Sequence, residues 1–132
     1  MAEVVLIVDD DERNVRLVRD VLEAAGMSTL TASTAAEALE LARERRPDVV
    51  LMDLRLPDLD GAEAARRLGS DDRTAGIPVV ALSALRAEDA DWSAGEGFAA
   101  YIEKPIDVRA LPSLVRRHVR VPAPRETGGP PP

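Results

Sequence analysis

"VVLMDLRLPDLDG", Val49 to Gly61, is the stretch on which the fold turns. Val49 to Met52 is an unbroken apolar run, which fits a strand buried on both faces rather than one with a wet side. The run ends on Asp53, and Leu56, Pro57 and Asp58 lead the chain out to the turn pair Asp60-Gly61. Packing alone gives a core strand no reason to end on a carboxylate. Asp53 therefore marks a place where chemistry is expected.

Apolar runs and helical patterns alternate on either side of this strand. Val4 to Val8 is continuous and ends in acids. Val15, Val18, Leu22 and Ala25 recur at helical spacing before Gly26, a natural helix stop. Met27 to Ala32 reads as a weaker strand. Ala35, Ala38, Leu39 and Ala42 form a second helical stripe, with Thr34 placed to cap it. Beyond the central strand, Ala64, Ala65 and Leu68 mark a third helix, and Ile77 to Leu82 a fourth strand with Pro78 near its start. Arg86 to about Gly95 is a short, polar, Ala-rich fourth helix, and Phe98 to Ile102 a fifth strand. In the last helix Leu111, Leu114, Val115 and His118 share a face. Pro112 cannot lie in a helix interior, so Asp107 to Ala110 reads as a separate turn with Pro112 at the first helical position. Residues 1–121 form one domain. Residues 122–132, rich in Pro and Gly with nothing apolar to bury, read as a disordered tail or linker stub.

The totals bound the function. A chain of 132 residues is one domain and buries roughly two-thirds of its unfolded surface. Its net charge of −7 opposes direct nucleic-acid binding, which needs a basic face. There is no cysteine, hence no disulfide or thiol chemistry. No segment has signal-peptide form or approaches the roughly 20 apolar residues of a membrane span, so a soluble, cytoplasmic protein with no membrane partner is expected.

Repeated βα units predict an α/β fold with a parallel sheet covered by helices on both faces. In such sheets functional groups gather beyond the C-terminal strand ends, near the switch point in strand order. Strand one ends in Asp9-Asp10, strand three in Asp53, strand four in Ser83, and Lys104 follows strand five. Three carboxylates, a hydroxyl and an amine should therefore meet at one edge.

"LIVDDDERN", "VVLMDLRLPDLDG", "PVVALSA" and "YIEKPID" together resemble the receiver domain of bacterial two-component response regulators, and most of all its stand-alone form. The likeness runs from Val4 to Val119. It implies a flavodoxin-like (βα)5 doubly wound sheet of strand order 2-1-3-4-5. It also implies that Asp53 accepts a phosphoryl group from a histidine kinase or a histidine phosphotransfer protein. The metal would be Mg²⁺, with Mn²⁺ as a substitute, held by Asp10, Asp53 and the backbone carbonyl of Arg55, with Asp9 acting through water. Lys104 and Ser83 would contact the phosphoryl oxygens. Ser83 and Tyr101 would act as the switch that remodels the face of the fourth helix, fifth strand and fifth helix, where a downstream protein binds. The resemblance further implies a cis Lys104-Pro105 bond.

Elementary electrostatics supports the metal. Asp9, Asp10 and Asp53 against Lys104 leave a charge of −2, which repels a phosphoryl dianion unless a divalent cation is present. Carboxylates, a carbonyl and water suit a hard octahedral ion. Other residues have plainer readings. Asp11 and Glu12 favour the first helix's N-terminus through its dipole, and Asn14 is a surface or local hydrogen-bonding residue. Asp58 and Asp60 are turn formers or a cap for the third helix, and His118 sits in a final helical turn rather than in a phosphotransfer role. Trp92 is either an amphipathic-helix residue or a partner anchor. Tyr101 is either the switch or a cover for the strand edge. Arg55 and Leu85 flank the phosphoryl position.

The chain is thus expected to be a phosphoacceptor signalling protein rather than an enzyme. An aspartyl-phosphate phosphohydrolase of haloacid-dehalogenase-like type needs a second Asp two residues after the nucleophile, where this chain has Arg55. A flavodoxin-like small-ligand binder needs a phosphate-cradling loop after strand one, and "DDDERN" is its electrostatic opposite. The receiver half of a longer regulator, with an output domain beyond the tail, is the remaining alternative.

Overall fold

The computed structural model describes residues 3–59, 61–83, 98–104 and 106–119. Their elements are β1 (Val4–Val8), α1 (Glu12–Ala24), β2 (Ser28–Ala32), α2 (Ala35–Arg45), β3 (Val49–Asp53), α3 (Gly61–Ser70), β4 (Val79–Ser83), β5 (Phe98–Glu103) and α4 (Leu111–His118). Leu85, the expected fourth helix with Trp92, the Lys104-Pro105 bond, Asp60, the side chain of Ser83 and the tail all lie outside the described residues.

All five strands are parallel, in the order β2-β1-β3-β4-β5. The unbroken apolar runs divide between two cores by the two-residue period of a strand. Leu6, Val8, Val50 and Met52 face one way, against Ala35, Ala38 and Leu39 of α2 and Ala64, Ala65 and Leu68 of α3. Val5, Ile7, Val49 and Leu51 face the other, against Val18 and Leu22 of α1 and Leu111 and Val115 of α4. No residue of β3 is exposed, and this burial on both faces is what its sequence demanded.

Helix ends follow local chemistry. Asp11 caps α1, its side chain accepting from the Arg13 N–H at 2.9 Å. Gly26 leaves that helix at φ +94°, a left-handed conformation that costs glycine nothing. Thr34 caps α2 by accepting from the Glu37 N–H at 3.1 Å. The turn before α4 forms as expected, with the Ala110 N–H bonded to the Asp107 carbonyl. Pro112, however, takes the second helical position rather than the first, because Ala110 is the cap and Leu111 opens the helix. That position also lacks an intrahelical partner for an N–H, so the proline breaks nothing.

The chain runs outward from β1 to β2 and then crosses to β3 on β1's other side. The crossovers diverge at β1 and β3, leaving a crevice at their C-terminal ends. The register Val8↔Met52 puts the next residues, Asp9 and Asp53, side by side at its mouth.

Candidate functional site

Asp9 follows β1 and Asp53 ends β3, and both are buried, at 2% and 8% exposure. Asp10 is exposed. Carboxylate oxygens of Asp9, Asp10 and Asp53 lie within 4.8 Å of one another. Lys104, one residue past β5, places Nζ 3.4 Å from Asp9 Oδ2 and 3.4 Å from Asp53 Oδ2. The amine thus bridges carboxylates on neighbouring strands. It is the single lysine of the chain, every other fixed cation being arginine. A compact point charge fits between two carboxylates where a planar guanidinium would need a fork-shaped acceptor.

The remaining hydrogen bonds orient the acids. Asp9 accepts the Asp11 N–H on Oδ1 at 2.9 Å and the Asn14 side-chain amide on Oδ2 at 3.3 Å. Asp53 accepts the Arg55 N–H on Oδ1 at 3.1 Å. Burial pushes the Asp53 carboxyl above its usual range, and the neighbouring Asp9 charge pushes the same way. The Arg55 N–H and the Lys104 ammonium pull it down without cancelling the rise. A divalent ion would relieve this frustration. Three hard oxygen donors, two buried and one open, with a local charge of −2, fit Mg²⁺ better than a soft metal. The open side adjoins a cleft of about 310 Å³ lined by Asp9, Asp10, Arg16, Thr31 and Ser33, so water has access.

The site residues expected from sequence on β1, β3 and after β5 therefore meet. Ser83 ends β4 by its backbone, paired with Glu103 on β5. Tyr101 pairs with Ala81 across the same two strands and is half-buried, with its hydroxyl oxygen shielded from solvent. His118 lies elsewhere. Arg116, two residues earlier, bonds Glu3 at the entry to β1 and the Ala25 carbonyl at the end of α1. That is the opposite edge of the sheet, a five-residue strand or about 16 Å from Asp53.

Asp58 corrects an expectation. It caps α2 instead of α3, its Oδ1 accepting the Ala35 N–H at 2.8 Å and its Oδ2 the Ala36 N–H at 3.0 Å. The α3 helix is adjacent in sequence, but α2 and α3 lie side by side on one face of the sheet, within reach of the loop between Asp53 and Gly61. Sequence reading gave two other contributors only local roles, Asn14 as a surface or local hydrogen-bonding residue and Gly61 as a turn residue. Asn14, in the first turn of α1, donates its side-chain amide to Asp9, five residues back. Gly61 packs so close to Asp53 that a Cβ there would stand 2.7 Å from the Asp53 carbonyl oxygen.

A parallel sheet of this order with an acidic crevice and a bridging lysine defines a receiver domain, and residues 5–116 match the response regulator receiver domain family; the chain belongs to it. It is 44% identical over 120 residues to the polar-differentiation response regulator DivK of Brucella anthropi, covering 90% of this chain and 98% of that one. Among solved structures it is similar to the chemotaxis response regulator CheY4 of Vibrio cholerae, with a TM-score of 0.84, 25% identity, and coverage of 90% of this chain and 100% of the other. It is also similar to the receiver domain of a sensor histidine kinase from Pseudomonas aeruginosa PAO1, described with a magnesium ion coordinated in the active site cleft. The TM-score there is 0.79, with 27% identity and coverage of 89% and 98%. The protein is a receiver domain that works in two-component phosphorelay signalling. No helix among the described residues is long and apolar enough to cross a membrane.

Proposed function

We propose that Asp53 is the phosphoacceptor and that the chain passes its state to a partner protein instead of turning over a substrate. The observation that carries this is the Lys104 amine held 3.4 Å from both Asp9 and Asp53 at the β1–β3 crevice. A carboxylate oxygen of Asp53 attacks the phosphorus of a phosphohistidine on a histidine kinase or phosphotransfer protein. The P–N bond breaks, and the histidine leaves with its electron pair and takes up a proton. Lys104 leaves Asp53 for a phosphoryl oxygen, and the Ser83 hydroxyl donates to another. Asp10, Asp53 and the Arg55 carbonyl hold Mg²⁺, or Mn²⁺ in its place, with Asp9 bound through water. The ion supplies neutralisation of charge on the phosphoryl oxygens.

Arg55 occupies the position where a haloacid-dehalogenase-like phosphohydrolase carries its acid/base Asp, which favours a signalling switch over a hydrolase. Ser83 and Tyr101 form the switch. Their strands are hydrogen-bonded neighbours, and Tyr101 stands beside Ala81, two residues before Ser83. Movement of the hydroxyl toward the phosphoryl group opens space for the ring, and the surface of β5 and α4 changes with it. A downstream protein reads that surface. The receiver domain spans residues 1–121, residues 122–132 form a tail or linker, and the protein acts in the cytoplasm.

The test is incubation with acetyl phosphate and Mg²⁺, followed by mass-spectrometric mapping. One phosphoryl group should appear on Asp53 and none on Asp53→Asn. Undiminished labelling of the variant at another carboxylate would refute the assignment.

A further inference from the structure

We propose that Asp58 is a positioning residue for the Arg55 carbonyl, holding the loop after Asp53 in its metal-binding shape by tying it to the N-terminus of α2. This rests on the reading of that carbonyl as a metal ligand.

The loop is fixed at its two ends. The Leu54 N–H bonds the Leu82 carbonyl at 3.2 Å, and the Gly61 N–H returns to the Leu54 carbonyl at 3.1 Å. Between them the Arg55 N–H is held by Asp53 Oδ1 at 3.1 Å, and Arg55 and Asp58 are both exposed. Leu56 and Leu59 lie partly buried against the α2–α3 core. Asp58 supplies a polar tether to α2, and it uses both oxygens on two successive N–H groups. One hydrogen bond leaves a hinge; two from one planar carboxylate resist rotation.

The anchor is itself firm. Ala35, Ala38 and Ala42 are fully buried, and Arg43 of α2 holds Asp71, beyond α3, at 2.8 Å. Nor does α2 need Asp58 merely to begin. Thr34 already caps it from within, bonded to the Glu37 N–H. The second cap arrives from 22 and 23 residues away, out of the loop that carries the Arg55 carbonyl. A partner group that orients a ligand without touching the metal commonly sets its affinity by about tenfold or more.

Two binding partners coupled through one loop conformation must favour each other equally. If the Asp58 tether favours Mg²⁺ binding by some factor, Mg²⁺ favours the tether by the same factor. The amides of Ala35 and Ala36 report the tether directly. The Glu37 amide, one residue on but bonded to Thr34, reports the helix alone.

The experiment uses the full chain and Mg²⁺ alone. Titrations followed by amide chemical shifts compare wild type with Asp58→Ala, Asp58→Asn and Thr34→Ala. Asp58→Ala should bind Mg²⁺ about tenfold more weakly, Asp58→Asn should fall between it and wild type, and Thr34→Ala should bind as wild type does. In wild type, saturating Mg²⁺ should slow hydrogen exchange at Ala35 and Ala36 by the same factor and spare Glu37. Wild-type affinity in Asp58→Ala, or an equal loss in Thr34→Ala, would overturn the positioning role alone. Absence of Mg²⁺ binding to wild type would overturn the metal reading with it.

Discussion

Two glycines of α3 should respond to the same substitution with opposite signs. Replacing glycine by alanine inside a helix ordinarily stabilises a protein by about 0.5–1 kcal/mol, since alanine loses less backbone freedom on folding. Gly69 meets that condition. A Cβ there would have nothing within 4 Å, and because Gly69 is the second-last residue of the helix Gly69→Ala should gain the lower end of this range, about 0.5 kcal/mol. Gly61 does not. Its Cβ would stand 2.7 Å from the Asp53 carbonyl oxygen, 2.8 Å from the Leu54 Cα and 3.3 Å from the Leu54 carbonyl carbon. These are backbone atoms of the segment leaving β3, which the Leu54–Leu82 hydrogen bond holds in place. No side chain can swing aside to make room. Overpacking of this kind costs about 1–3 kcal/mol, which outweighs the propensity gain and leaves Gly61→Ala about 0.5–2 kcal/mol less stable than wild type. For a domain of this size 1 kcal/mol moves Tm by about 4 °C. Gly61→Ala should therefore melt about 2–8 °C lower and Gly69→Ala about 2 °C higher. Thermal and urea unfolding followed by far-UV circular dichroism would measure both. A Gly61→Ala protein as stable as wild type would mean that α3 does not press on the phosphoacceptor strand as described.

Burial raises the Asp53 carboxyl above the value it has in the unfolded chain, about 3.9. Below that value both states keep the proton; as pH climbs, the folded state gives it up less willingly, and stability is lost through the raised folded pKa. In EDTA, Asp53→Asn should thus match wild type near pH 3–4 and become increasingly more stable toward neutrality; a gain independent of pH would refute the desolvation account. Mg²⁺ at about 100 times its Kd should stabilise wild type by about 2.7 kcal/mol, and Asp10→Asn should lose most of that gain. An undiminished Mg²⁺ shift in Asp10→Asn would mean that other groups hold the ion.

Much of this protein was legible because much of its structure is local. Strand runs, the stripe of Ala35, Ala38, Leu39 and Ala42, the Thr34 cap and the Gly26 stop each depend on residues a few positions apart. The site was legible one step further. Parallel strands deliver their C-terminal residues to a common edge, so acids at the tips of β1 and β3 and the lysine after β5 were bound to converge.

Packing decided the rest. The sequence by itself named Asp9, Asp53 and Lys104, but only the register Val8↔Met52 and the placing of β5 on the sheet set the shared 3.4 Å contacts. Asp58 read as a turn former or a cap for the helix that follows it, because capping signals are read from sequence neighbours. It caps α2 because α2 and α3 pack side by side, which brings groups 22 and 23 residues apart into contact. Gly61 read as a turn residue, yet its missing side chain is required by the backbone of β3, eight residues back. Local periodicity fixes which residues form an element and which face they bury. Contacts between elements depend on how those faces are stacked, and no pattern within a single segment encodes that.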